Sequence, residues 1–429
     1  MTQCAALRER VPHIGDVISK DYCMQRTVSL RLAALALACA VQSGFAADRP
    51  GETFRISVQS LPKPYATPGA ANSSQRIARP AGVLPQVPAG FAVSLYASGL
   101  RDPRWMAVAP NGDVFLAEPD AGKITLLHEK AGKVEASTFA DGFETPHGLL
   151  FAKGALFVGD LNAVWRIAYA DGQTKAGPRQ RVTRAPDLSP RGNHVTRDIA
   201  MDSKGTLYIA IGSASNVGED APTRATVQMV GADGTMHTFA SGLRNPVGIQ
   251  FYPGTDDLFV TVNERDGLGD ELVPDYLTHV QQGGFYGWPY SYLGQHPDPD
   301  FGNKRADLVA KAIMPDLLFH AHSAPLGLVF YEGAQFPAAY KGDAFVALHG
   351  SWNSAVPTGY KVVRVSFKNG RPTGTYENFV TGFWDGASKP GSPARVWGRP
   401  AGLAVAKDGS LLVADDAGKV VWRVSYAGK

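Results

Sequence analysis

Polar side chains able to do chemistry stand in several places where the sequence otherwise reads as short connections before strands. In "RGNHVTRDIAM" Asn193, His194 and Arg197 precede an apolar run. "TPHGLLF" carries His147, "LRNPVGI" carries Arg244 and Asn245, and "WGRPAGL" carries Arg399. An imidazole, with an ordinary pKa of about 6.5, is suited to accept a proton near neutral pH. An arginine fork and an orientable asparagine amide suit an anion, permanent or developing. A third chemistry lies in "NERDGLGDE" (263–271), where Gly267 and Gly269 permit a tight bend and loop oxygens suit a hard cation such as Ca²⁺.

These groups act together only if the fold gathers them, and one repeated phrase says how. A Gly or Pro turn, an apolar strand, a second turn and a second apolar strand recur throughout the chain. The copies are "LRDPRWMAVAPNGDVFLAEP", "FETPHGLLFAKGALFVGDL", "HVTRDIAMDSKGTLYIAIGS", "LRNPVGIQFYPGTDDLFVTVN", "HSAPLGLVFYEG…GDAFVALHGSW" and "WGRPAGLAVAKDGSLLVADD". Outer-strand candidates follow them, among them Lys123–Leu127, Ala163–Ala168 and Tyr360–Phe367. Six units of about 56 residues predict an all-β, six-bladed β-propeller over 89–429. Larger insertions are expected at 213–240 and 265–320, on the rim that holds the site. In each unit the residues before the first strand enter beside the axis, so His147, His194, Arg244, Asn245 and Arg399 are expected to converge on one pocket.

Composition bounds the remainder. Charged residues make up 19% and the net charge is only +3, which gives no footing for nucleic-acid binding. Residues 47–88 are rich in Pro, Ser, Ala and Arg without periodicity and read as an extended arm. Residues 1–46 read as a secretory leader with its working start at Met24: Arg26 and Arg31 precede an apolar run from Leu32 to Val41, then Gly44-Phe45-Ala46. The expected localisation is the periplasm. Ala36 stands where a lipoprotein signal carries Leu, which argues against a lipid on Cys39. Cys4, Cys23 and Cys39 all lie in this leader, so the mature chain has no thiol or disulfide chemistry.

The ordered set "LRNP", "VNERDGLGD", "GGFYGWP", "HGSWN" and "GYKVVRV" resembles the soluble glucose/sorbosone dehydrogenases, and the sorbosone branch more than the glucose branch. The resemblance covers about residues 88–427. It implies a six-bladed propeller using pyrroloquinoline quinone (PQQ) with Ca²⁺ to oxidise an aldose or sugar-derived aldehyde. It implies His194 as the general base, Arg244 with Asn245 beside the quinone, and Arg399 as a cofactor contact. By position it gives the carbonyls of Arg265 and Asp266 to the cofactor's calcium, and Asp270 and Glu271 to a second calcium region. Two departures affect the cofactor carboxylates: Ala401 replaces an Arg of the glucose branch, and His349 replaces a Lys. Arg197 or Arg395 is the expected substitute for the missing charge. Asn193 is expected on the substrate side, and His147 either there or as a core or capping residue; Trp288, Trp352 and Trp384 are read first as blade packing, with a sugar-stacking face as the alternative. Without Cys-x-x-Cys-His, electrons must leave to an external acceptor such as a cytochrome or quinone. Two other readings stay open: a calcium-dependent lactonase-like propeller, and a non-catalytic propeller binding a glycan or protein.

Overall fold

Each repeat folds as a four-stranded antiparallel meander, because its apolar runs are shorter than a helix needs and are bounded by turn residues. The computed structural model describes residues 48–184, 188, 192–386 and 391–428; the leader expected over 1–46 lies outside them. In blade 1 the strands Met106–Val108, Val114–Glu118, Lys123–Lys130 and Lys133–Ala140 pair in that order. Blade 2 runs from Leu149–Ala152 to Arg179–Arg181, and blade 3 from Arg197–Met201 to Met236–Ser241. Blade 4 runs from Asn245–Phe251 to Leu317–Ala321, blade 5 from Pro325–Phe330 to Arg371–Val380. Blade 6 begins with Pro400–Val405 and takes its outermost strand, Phe91–Ser98, from the start of the ring, which closes the six-bladed β-propeller.

Neighbouring blades cover both faces of each sheet. The second strands Val114–Glu118, Ala155–Asp160, Leu207–Ile211, Ala344–Leu348 and Leu411–Asp415 are accordingly buried along their whole length. That is why they read as continuous apolar runs without alternation. The expected insertions prove to be partly blade. Thr226–Val230 and Met236–Ser241 are the outer strands of blade 3, and Pro274–Val280 and Leu317–Ala321 are those of blade 4. The longer connections left are 213–225, 264–273 and 281–316, the last with a small hairpin of its own.

Around the axis the inner strands approach so closely that four blades tolerate no side chain there. A Cβ on Gly148 would stand 2.6 Å from the Arg197 carbonyl, and one on Gly248 2.4 Å from that of Leu326. On Gly327 it would meet the Ala401 carbonyl at 2.5 Å, and on Gly402 the Arg104 carbonyl at 1.8 Å. The equivalent places in blades 1 and 3 hold Trp105 and Asp198, and the indole helps to steady the carboxylate. Asp198 also accepts from the amides of Ile199 and Ile249 at 2.9 and 3.1 Å, and burial lifts its carboxyl to about 8.

The arm lies along the ring. Thr53–Phe54 adds a fifth strand to blade 5, and Gln75–Arg76 pairs in parallel with Arg395–Val396.

Gly402→Ala is expected to destabilise the protein by on the order of 3 kcal/mol through overpacking at the axis. Gly177→Ala, where nothing lies within 4 Å of the added methyl, should be close to neutral. Denaturant unfolding of both variants checks this; equal midpoints would refute the axial crowding.

Candidate active site

The connections that lead into the inner strands open onto one cavity of about 520 Å³. His194, Asn193, Arg244, Asn245, Asp266, His349 and Arg399 all line it, so these sequence-predicted residues are brought together from four blades. His194 sits before the first strand of blade 3, where its Nδ1 lies 2.8 Å from the Ser213 carbonyl. That contact fixes the proton on Nδ1 and leaves Nε2 as the acceptor. Burial, then the charge of Arg244, push this imidazole down to about 4. Gly212 lets the ring and Asn245 share their corner: a Cβ there would stand 2.3 Å from Asn245 Oδ1 and 2.7 Å from His194 Cβ.

Arg244 is anchored by oxygens around its fork. Nε donates to the Asn216 carbonyl at 2.9 Å, Nη1 to those of Asn263 and Glu264 at 3.2 and 2.7 Å, and Nη2 to Asn216 Oδ1 at 3.0 Å. The guanidinium therefore keeps its charge at a fixed point, 3.6 Å from Asp266 Oδ2. Asn216 is the hub of this wall. Its Oδ1 also accepts from the Asp266 amide at 2.9 Å, and its Nδ2 donates to the Asp266 carbonyl at 3.0 Å.

On the opposite wall Arg399 donates to the carbonyls of His349 and Gly350 at 3.0 and 2.8 Å. His349 Nε2 donates to Asp416 Oδ2 at 2.8 Å, and the same oxygen accepts from Arg104. Burial opposes ionisation of Asp416, but His349 and Arg104 outweigh it and hold the carboxylate far below its usual range. Burial, then Arg399, push His349 down to about 4, so it contributes a neutral donor and not a charge.

Several expected site residues stand elsewhere, for a reason of register. His147 and Arg197 occupy the places that Val247, Leu326 and Ala401 hold in other blades, one step further into the ring. His147 is buried with its ring 4.2 Å from that of Trp105, its nitrogens unpartnered among the described residues, and burial pulls it well below its ordinary range. Arg197 is fully buried and donates to the carbonyls of His194, Thr196 and Leu188. It thus holds the backbone of His194 and does not face the cavity. Arg395 pairs with Asp385 at 3.2 Å. The charge missing at Ala401 is met by Arg104, which fills the same place in "DPRWM" of blade 1. Comparing the repeats position by position, not by motif, would have found it.

The four residues expected at two cation regions lie on one loop, with their side chains facing different surroundings. The buried Arg265 side chain bonds Asp298, which bears on neither its carbonyl nor the cavity. Asp270 and Glu271 line a second cavity of about 620 Å³ beneath the arm, while Asp266 faces the first. Sequence reading missed Glu264, Asp275, His322 and Asn353, all in the first cavity. Burial raises Glu264 and Asp275 to about 7, and Glu264 Oε1 has no hydrogen-bond partner among the described residues. Burial pulls His322 down, but Asp266 and Asp275 outweigh it and raise the ring above its ordinary value. Of the three tryptophans, Trp288 is buried and donates to the Asn216 carbonyl, Trp384 borders the second cavity, and Trp352 stands 55% exposed at the first.

A six-bladed propeller with a guanidinium-walled axial cavity and a neutral, pinned imidazole defines the class. The chain belongs to the TrAA12-like family, whose model matches residues 85–282 and 299–427. It is 28% identical over 358 residues to an uncharacterized protein of Borreliella burgdorferi, covering 80% of this chain and 90% of that one. It is 26% identical over 336 residues to the pyrroloquinoline quinone-dependent pyranose dehydrogenase of Coprinopsis cinerea, covering 64% of this chain and 44% of that enzyme. The fold is similar to the PQQ domain of Coprinopsis cinerea pyranose dehydrogenase in its holo form (TM-score 0.67, 21% identity, 82% of this chain, 99% of that one). It is also similar to a Trichoderma reesei family AA12 carbohydrate-active enzyme (TM-score 0.65, 22% identity, 80% and 97%).

His194 and His349 stay neutral in the fold down to about pH 4, whereas the unfolded rings protonate near 6.5. The unfolded state then binds more protons in that window, so both residues make stability fall as pH drops from about 6.5 to 4. Replacing both by Gln should make that fall shallower in denaturant titrations at a series of pH values. An unchanged pH slope would show that these rings titrate normally.

Proposed function

We propose that the chain is a PQQ- and Ca²⁺-dependent dehydrogenase that oxidises an aldose or a sugar-derived aldehyde of the sorbosone kind. Its electrons pass to an external acceptor such as a cytochrome or quinone, and it works in the periplasm after removal of the leader. The observation that carries this reading is the convergence of His194 and the guanidiniums of Arg104, Arg244 and Arg399 on one cavity. Its volume falls within the roughly 300–1,000 Å³ of small-molecule sites. Its three arginines suit a tricarboxylate. The orphaned, buried Glu264 Oε1 beside the Arg265 and Asp266 loop suits a hard cation. No helix among the described residues is long and apolar enough to cross a membrane.

Arg104, Arg399 and His349 would hold the cofactor's carboxylates, with Arg244 and Asn245 on the facing wall. The loop carbonyls of Arg265 and Asp266 would hold the calcium. When bound, the quinone supplies the two-electron acceptor for the substrate's hydride. His194 Nε2 receives the proton of the substrate hydroxyl, and its Nδ1–H, given to the Ser213 carbonyl, keeps the ring aimed. Burial is the larger cause of the depressed imidazole, and an anionic ligand opposite Arg244 offsets the lesser one, the charge of that arginine. Arg244 is fixed before any charge develops, so no reorganisation is needed at the moment of reaction. Asn193 and the exposed face of Trp352 lie where a sugar would enter.

Reconstitution decides the matter. Apoprotein mixed with PQQ and Ca²⁺ should shift the cofactor's absorption spectrum and reduce an artificial dye with some member of a panel of aldoses and aldehydes. Dye reduction without spectral change, or neither, defeats the proposal. His194→Ala should keep the spectral shift and lose turnover by at least about 100-fold. Arg104→Ala should weaken PQQ binding by on the order of tenfold. Chelation of Ca²⁺ should lower both activity and the melting temperature.

A further inference from the structure

The arm does more than lie on the ring. Between Tyr65 and Ile77 it bonds to loops of three successive blades, and each of those loops carries a residue of the cavity. On blade 4 the Tyr65 amide donates to the Leu268 carbonyl at 2.6 Å. Thr67 Oγ1 donates to Glu271 Oε2 at 2.5 Å and accepts from the Asp270 amide at 2.9 Å. The contact is close: a Cβ on Gly269, whose φ is +132°, would stand 2.9 Å from Thr67 Oγ1 and 3.1 Å from the Thr67 carbonyl.

On blade 5 the Asn72 amide donates to the Trp352 carbonyl at 2.8 Å. Its side chain, only 7% exposed, donates through Nδ2 to Ser354 at 2.9 Å and to Ser392 at 3.1 Å. On blade 6 Gln75 and Ile77 donate to the carbonyls of Ala394 and Val396, and Arg76 Nη2 reaches the Asp416 carbonyl at 3.3 Å. The bridged loops also hold each other, through Asn353 Nδ2 to Asp266 Oδ1 at 2.6 Å and the Ala355 amide to Asp270 Oδ1 at 2.7 Å.

We propose that residues 65–77 form a strap that positions one half of the cavity, with Thr67 and Asn72 as positioning residues. Neither lines the cavity. Thr67 sets the loop that presents Glu264 and Asp266, and Asn72 sets the loop that presents Trp352 and Asn353. The propeller's own sheets do not need these bonds, since blades 4 and 6 are complete without the strap. What the cavity accepts rests on the proposed PQQ reading; the strap itself does not.

The test compares Thr67→Val, which keeps the shape and removes both hydroxyl bonds, with Thr67→Ser, which restores them, and with Asn72→Ala. In amide hydrogen exchange, Thr67→Val should speed exchange at 266–271 and Asn72→Ala at 350–355, each by about tenfold or more, with the second strands of all blades unchanged. PQQ affinity should fall by a similar factor in both, with kcat at saturating PQQ unchanged, and Thr67→Ser should match wild type. Unchanged exchange at both loops overturns the strap, as does faster exchange spread evenly through six blades. Should Thr67→Val fail to fold, Asn72→Ala alone carries the comparison. If wild-type protein binds no PQQ, the cofactor reading falls while the exchange data still decide the strap.

Discussion

The structure depends on how closely six inner strands can approach one axis. At Gly148, Gly248, Gly327 and Gly402 the next blade's carbonyl stands where a Cβ would be, so backbone packs on backbone. Blades 1 and 3 depart from this rule, and their Trp105 and Asp198 fill the space that the glycines leave. The same crowding bears on the depth of the residues just upstream. Residues three or four places before the glycine level reach the open end of the ring; of those immediately before it, His147 and Arg197 are buried away from the cavity, whereas Arg104 reaches it. His194 and Arg244 belong to the first group.

Cationic side chains collected in one place repel each other and lose water, so they need compensation. Here backbone oxygens supply much of it. Arg244 is held by three carbonyls, Arg399 by two, and the carbonyl of His194 accepts from both Arg197 and Arg224. A carbonyl dipole steadies a guanidinium without cancelling its charge, as a carboxylate would. Carboxylates add to this: Arg244 has Asp266 at 3.6 Å, and Arg104 bonds Asp416, which is shared with His349. Both walls thus pair arginine with carboxylate, loosely at Arg244 and by direct hydrogen bond at Arg104.

The repeat made the blades legible, because turn residues and apolar runs are local and recur six times. His194, Arg244, Asn245 and Arg399 were legible too, as polar residues in a repeated place beside the axis. The limit was register. Arg197 lies three residues from His194 in sequence but points into the ring, and only strand alternation at the axis decides that. Asn216, His322 and Asn353 come from irregular connections whose course no periodicity encodes. The arm had no pattern of its own, since its bonds run from single residues to distant backbone. The segments at 213–240 and 265–320 were read as rim because blade strands and loops share their composition.

Blade 6 combines Val420–Tyr426 with Phe91–Ser98, so that Val424 lies opposite Val93. The ring is therefore a clasp fastened by the two extremes of the propeller sequence. A growing chain can stack blades one after another, but its circumference stays open until the final residues arrive. Loop-closure entropy for so distant a pairing is met only at that last step. The cavity, which needs blades 1 and 6 side by side to bring Arg104 next to Asp416 and His349, comes into being with the same event.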